Sequence, residues 1–165
     1  MLERFKKIFK ETLKWEGGDK LHNVSGDAGG WTKFGIAYNF NKERFEDFDA
    51  FTGMTYDVAA EIAFENYCEP IHLESVNEEA QAMLFDMSFN MGTKAAIKCA
   101  QRALKLTDDG IIGKKTIAAL KDLKKSDLND ERVKYYLAII KNRPSQKKFI
   151  KGWLARASYF LKTKI

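Results

Sequence analysis

Glu16 stands directly before a pair of glycines, Gly17 and Gly18, and two more carboxylates, Asp19 and Asp27, follow it. A carboxyl group at the C-terminal end of a helix faces the negative end of the helix dipole. Burial beside apolar neighbours such as Leu13 and Trp15 disfavours its charge further. Both effects favour the protonated acid, the form that general acid catalysis uses. Cleavage of a glycosidic bond usually needs such an acid and a second carboxylate that activates water or attacks the sugar. Asp27 and Asp19 are both candidates for that second role, and the Thr32 hydroxyl can hold a water. Asp27 is flanked by Gly26, Gly29 and Gly30, whose missing side chains would let backbone come close to a bulky sugar. Two plainer readings stand beside these: a glutamate before two glycines is also an ordinary helix end, and threonines in tight loops bond nearby backbone.

The elements that must position these groups follow from periodicity. Leu2, Phe5, Phe9 and Leu13 recur at three- and four-residue steps, one face of a helix that should stop at Gly17-Gly18. Glu16 is expected on its last turn, on the inward stripe. From about 22 to 40 the pattern changes: Gly26, Gly29, Gly30 and Gly35 break any helix, while Trp31, Phe34, Ile36 and Tyr38 suggest short extended pieces or a hairpin. Then helix follows helix. Thr55 can cap one through about Tyr67, with Val58 and Ile62 inward. Asn77 begins another that runs to Gly92 and is apolar nearly all round, hence a buried central helix. Further helices are expected near 94–105, 114–124, 128–142 and 146–162. The fold class predicted is mainly α, a multi-helix domain with a small irregular or β excursion near 22–40. A catalytic region at 1–92 and a helical region at 93–165 are expected to pack as one globular unit.

Composition narrows the function classes. No apolar run approaches the roughly 20 residues that span a membrane. Cys68 and Cys99 fall in apolar helical surroundings and read as buried reduced thiols. Neither His22 nor His72 has metal-ligand spacing, so no metal and no cofactor is expected. The net charge of +5 is unevenly spread: Lys141 to Ile165 holds eight basic residues and no acid, while the other 140 residues carry 20 basic and 23 acidic groups. Such a tail favours a polyanion, whether nucleic acid, anionic lipid or a bacterial envelope. No nucleic-acid motif accompanies it. Phe149, Trp153, Ala157, Phe160 and Leu161 form an apolar stripe beside those lysines, which suits either core packing or an interfacial helix on anionic envelope lipid. The start of the chain lacks the apolar stretch of a secretory signal. If the substrate lies outside the cytoplasm, a separate machine must then deliver the protein.

Several ordered motifs together resemble a known family. Glu16-Gly17-Gly18, then Asp27-Ala28-Gly29-Gly30-Trp31-Thr32 and Gly35-Ile36, are similar to the E-G-G … D-x-G-G-x-T-x-x-G-I signature of glycoside hydrolase family 108. Its members are N-acetylmuramidases, among them phage endolysins and bacterial proteins once called secretion activators. The order Glu16, Asp27, Thr32 also resembles the Glu…Asp…Thr triad of phage lysozymes, with somewhat different spacing. Asp19 and Ala37 depart from the family pattern, which has an aromatic residue and a Thr or Ser there. The later half resembles the peptidoglycan-binding region that accompanies the family. Phe85-Asp86 with Asn90 and Gly92 match F-D-x-x-x-N-x-G, and Gln101 matches the glutamine before its turn. Asp109-Gly110 with Gly113 and Thr116 match D-G-x-x-G-x-x-T, and Phe149, Gly152-Trp153 and Arg156 match F-x-x-G-W-x-x-R.

The resemblance implies a lysozyme-like peptidoglycan hydrolase in which Glu16 is the catalytic acid; the residue reading adds Asp27 or Asp19 as its partner, Asp27 first, and Thr32 as the holder of a water. The glycan strand is expected to cross a groove between the first helix, the glycine-rich excursion and the central helix. Trp15, Gly29, Gly30, Trp31 and Tyr38 are the expected sugar contacts, joined by Asp86 and Asn90, which either lock the core or line the cleft. Asp109-Gly110 reads as a turn and Trp153 as core. The partner is peptidoglycan, without nucleic acid, and the chain is expected to be monomeric. Two rivals remain: a lytic transglycosylase that uses Glu16 alone, and a non-catalytic basic protein that binds wall or nucleic acid.

Overall fold

The first apolar stripe forms α1 (Leu2–Leu13). In the computed structural model, which describes residues 2–23 and 28–165, Phe5, Ile8 and Phe9 on this helix are fully buried. Phe5 meets the edge of Phe64 and Phe9 stacks on Tyr56, so α1 packs on α4 (Tyr56–Ala63). The Tyr56 hydroxyl donates to the Lys6 carbonyl and ties the two helices further. Thr55 caps α4, its hydroxyl accepting from the Val58 N–H at 3.4 Å. Val58, expected inward, is 40% exposed. The buried stripe runs through Ala59, Ile62 and Ala63, and Val58 falls at its edge.

Between these helices lies a three-stranded antiparallel sheet in the order β1 (His22–Asn23), β2 (Trp31–Lys33), β3 (Ile36–Ala37). His22 pairs with Thr32, and Lys33 pairs with Ile36. The β2–β3 turn is Phe34-Gly35, with φ of 52° and 71°. Positive φ at both central residues is the type I′ arrangement that matches strand twist. A phenylalanine is an unusual choice there, and its ring is held edge-on to Tyr56. Two short helices follow, α2 (Tyr38–Asn41) and α3 (Phe48–Thr52), the latter capped by Asp47, whose carboxylate accepts from the Ala50 N–H at 2.8 Å. The sequence reading did not anticipate either. At four and five residues they are too short to show a periodicity.

The remaining helices are α5 (Glu78–Met91), α6 (Thr93–Ala103), α7 (Lys114–Ala119), α8 (Lys125–Asn142) and α9 (Ile150–Lys162), with a 3-10 turn at Pro144–Phe149. Asn77 caps α5 by accepting from the Glu79 N–H. Every residue from Ala80 to Ser88 is buried, as a helix apolar on all sides requires. Helices α6, α8 and α9 supply its surroundings. Gly92, at φ 87°, ends α5 and begins α6. On α9 the apolar stripe turns inward: Ala157 and Phe160 are core and Trp153 stacks on Tyr136. Most of the face considered for lipid is thus taken by packing. Packing divides the chain into two units, Met1–Asn66 and Tyr67–Ile165, and groups α5 with the helices after it.

Candidate active site

The backbone around Glu16 is set by the end of α1. The regular helix stops at Leu13, earlier than the glycine pair predicts. The Glu16 N–H donates to the Leu13 carbonyl at 3.1 Å, and the Gly18 N–H reaches back to the same oxygen at 3.2 Å. That second bond is the long closing bond of a Schellman ending, with Glu16 at the cap. It requires left-handed backbone just past the cap, and Gly17 and Gly18 supply φ of 80° and 72°. Glu16 is half-buried, with Oε1 shielded from solvent. Trp15 beside it is half-buried, and Thr12, one turn earlier, is fully buried. A carboxyl with one oxygen sheltered, on a side chain still reachable from outside, is suited to handing a proton to a ligand.

Asp27 lies outside the described residues. Asp19 is exposed. The glycines that follow are tighter than expected. Gly30 has φ 65°, and a Cβ there would come within 2.9 Å of the Asn39 carboxamide. Asn39 Nδ2 donates to the Ala28 carbonyl at 2.9 Å, and its backbone N–H donates to the Gly29 carbonyl at 3.1 Å. The space beside Gly30 is therefore filled by Asn39, and Gly29 is buried. Both glycines thus allow a close backbone fit against Asn39. Asn39 had no signal in the sequence, since asparagines in glycine-rich loops are ordinary. Thr32 on β2 is half-buried, its hydroxyl 3.5 Å from the Gly30 carbonyl. Trp31 keeps 40% of its surface exposed and leans on Phe48, while Tyr38 is half-buried against Phe48 and Phe51.

In the second unit the motif residues build scaffold. Asp86 has no exposed surface. Arg132 Nη2 donates to its Oδ2 at 2.6 Å, and Arg156 Nη2 donates to its Oδ1 at 2.7 Å. Both oxygens are thus occupied, and of the two roles left open Asp86 has the core one; it does not face a glycan. Asn90, a turn later, is exposed. Arg132 belonged to no motif, although its place between Leu128 and Tyr136 on an inward stripe of α8 was a usable signal. The Tyr136 hydroxyl accepts from Arg132 Nε at 2.7 Å. Burial first, and Asp86 nearby, push the Tyr136 hydroxyl's pKa up despite that arginine.

The turn motif closes on itself. The buried Gln101 donates to Asp109 Oδ1 at 2.8 Å and to the Ile111 carbonyl at 3.0 Å, and accepts from the Gly110 N–H at 2.9 Å. Asp109 also accepts from the Ile111 N–H, which with the Gln101 bond holds its carboxyl below the usual range. Cys68 and Cys99 are buried free thiols, and burial raises the pKa of both, Cys99 to about 11.

Comparison with known proteins places the chain in a family. Residues 9–92 match the model of the family described as Glycosyl hydrolase 108, and residues 95–158 match one described as a predicted peptidoglycan domain. The two matched segments meet where α5 gives way to α6. No curated protein matches the chain. Among solved structures it is similar to SagA of Brucella abortus, with a TM-score of 0.73 and 24% identity over 98% of this chain and 93% of that one. That likeness carries the lysozyme-like fold. The first match spans half the sequence and holds both the Glu16 turn and the small sheet, so the chain belongs to glycosyl hydrolase family 108 and is a glycoside hydrolase directed at peptidoglycan.

Proposed function

We propose that the bond cleaved is the β-1,4 linkage from N-acetylmuramic acid to N-acetylglucosamine, with Glu16 as the general acid. The observation that carries this reading is the placement of Glu16 at a glycine-closed helix end with Oε1 out of solvent, in a chain of family 108. Protonated Glu16 gives its proton to the bridging oxygen, and the leaving sugar departs as an alcohol. Positive charge develops on the muramic ring. A water adds to that carbon, and its proton passes to a carboxylate, for which Asp27 is the candidate, with Thr32 orienting the water. The exposed face of Trp31 offers a platform for a sugar ring. On this reading the chain acts on the wall outside the cytoplasmic membrane, as an endolysin does once a holin or export machine has released it.

The test is mass spectrometry of soluble fragments from purified peptidoglycan treated with the parent protein and with Glu16→Gln. Fragments ending in reducing N-acetylmuramic acid, from the parent alone, are the expected result. Anhydro-muramic ends would make the enzyme a lytic transglycosylase, and reducing N-acetylglucosamine ends would move the cut to the other linkage.

A further inference from the structure

The second unit carries two cavities that meet at one side chain, Tyr135 of α8. One, of about 480 Å³, is lined by Tyr135, Asn142, Arg143, Gln146 and Trp153, whose ring also stacks on Tyr136 and Phe149. The other, of about 520 Å³, lies along α6 and is lined by Thr93, Lys94, Lys98, Arg102 and Tyr135. Their linings differ in kind. Aromatic rings with carboxamides and a guanidinium suit a sugar, since ring faces pack on C–H surfaces while amides take hydroxyls. A row of cations one helical turn apart suits carboxylates.

Arg102 already bridges Asp108 at 2.9 Å and Glu131 at 2.8 Å. Lys98 lies near enough to Asp108 and Asp109 to help hold both carboxyls low, but neither it nor Lys94 is in an ion pair among the described residues, and both border the cavity. Their stems are backed by the Asp109-Gly110 turn: a Cβ on Gly110 would come within 3.0 Å of Lys94 Cγ and 3.2 Å of Lys98 Cε. The Gln101–Asp109 network fixes that turn. The motif thus holds two lysines in place without itself facing a ligand.

We infer that the Tyr135 groove is where the second unit holds the wall, with an N-acetylated sugar on the Trp153 side and the carboxylates of the attached stem peptide on Lys94 and Lys98. Peptidoglycan joins these two chemistries, a glycan and an acidic peptide, through one lactyl ether. This assignment deepens the proposed function and rests on it for the partner. It also separates holding from cutting, since every residue named lies in the second unit.

The experiment is co-sedimentation with insoluble peptidoglycan, using full-length protein in a Glu16→Gln background so that the wall stays intact. The variants are Lys94→Gln/Lys98→Gln and Tyr135→Ala, with melting curves as the folding control. The lysine pair changes only cavity-wall side chains and keeps the helix, so it remains informative even where Tyr135→Ala fails to fold. We expect the lysine pair to weaken binding at least tenfold on peptide-bearing wall and little on glycan stripped of its peptides by an amidase. Unaltered binding in a folded lysine variant, or equal competition by a DNA duplex of matched charge, overturns the groove assignment while the cleavage result stands. A parent that neither binds nor cleaves peptidoglycan overturns both together.

Discussion

Replacing Glu16 with glutamine keeps the side chain's size and removes its proton. Because a positioned general acid contributes about 10²–10⁴-fold, wall cleavage in Glu16→Gln should fall by that range, followed as turbidity loss of a cell-wall suspension. The melting temperature should stay near the parent's, since Glu16 is half-exposed at a helix end. Asp86 should behave in the opposite way. It is the carboxylate between two buried guanidiniums, so Asp86→Ala strands positive charge in the core and should cost about 3–5 kcal/mol, read from urea unfolding. The two thiols make a third case. Buried, and with pKa values raised by that burial, Cys68 and Cys99 should react with a thiol reagent at neutral pH only after unfolding. The sequence made Glu16 legible because a helix end and a motif coincide there. The core duty of Asp86 was one of two roles the sequence left open; its partners did not show, because Arg132 lies in no motif and Arg156 is 70 residues away.

Helix ends and turns respond to glycine replacement in ways that separate conformation from space. At Gly17 a Cβ would meet nothing within 4 Å, but φ is 80°. Gly17→Ala should therefore cost about 1–2 kcal/mol from left-handed backbone alone. Gly152 lies inside α9 with ordinary φ and equally open surroundings. There the same change should stabilise by about 0.5–1 kcal/mol, and paired melting curves would show opposite signs. The long elements were legible for the same reason that they are stable: α1 and α9 carry an apolar stripe over three or more turns, and α5 is apolar on every side. The small sheet showed only as glycines and aromatics, and α2 and α3 not at all. Their order comes from ring packing among Tyr38, Phe45, Phe48 and Phe51, which no spacing encodes.

Among the described residues, Asp108, Asp109 and Glu131 of the second unit are carboxylates held below their ordinary range. Asp108 is held low by Arg102, and Asp109 by the Ile111 N–H and Gln101. Glu131 is raised by burial, but bonds from Lys134 and Arg102 outweigh this and leave it low. A carboxylate lowered on folding contributes stability that is present above its ordinary value, here 3.8 to 4.5, and is lost as pH falls through the folded one. Stability of the protein should thus be flat near neutrality and decline below about pH 4.5, and Arg102→Gln should flatten that decline in an acid titration followed by circular dichroism. The contact from Arg156 to Asp86 spans 70 residues and reaches from α9 back to α5. During synthesis, then, the central helix emerges long before the last of its counter-charges exists. A chain stalled short of α9 still lacks one of the two guanidiniums that neutralise Asp86, so its core is closed only when the last helix arrives.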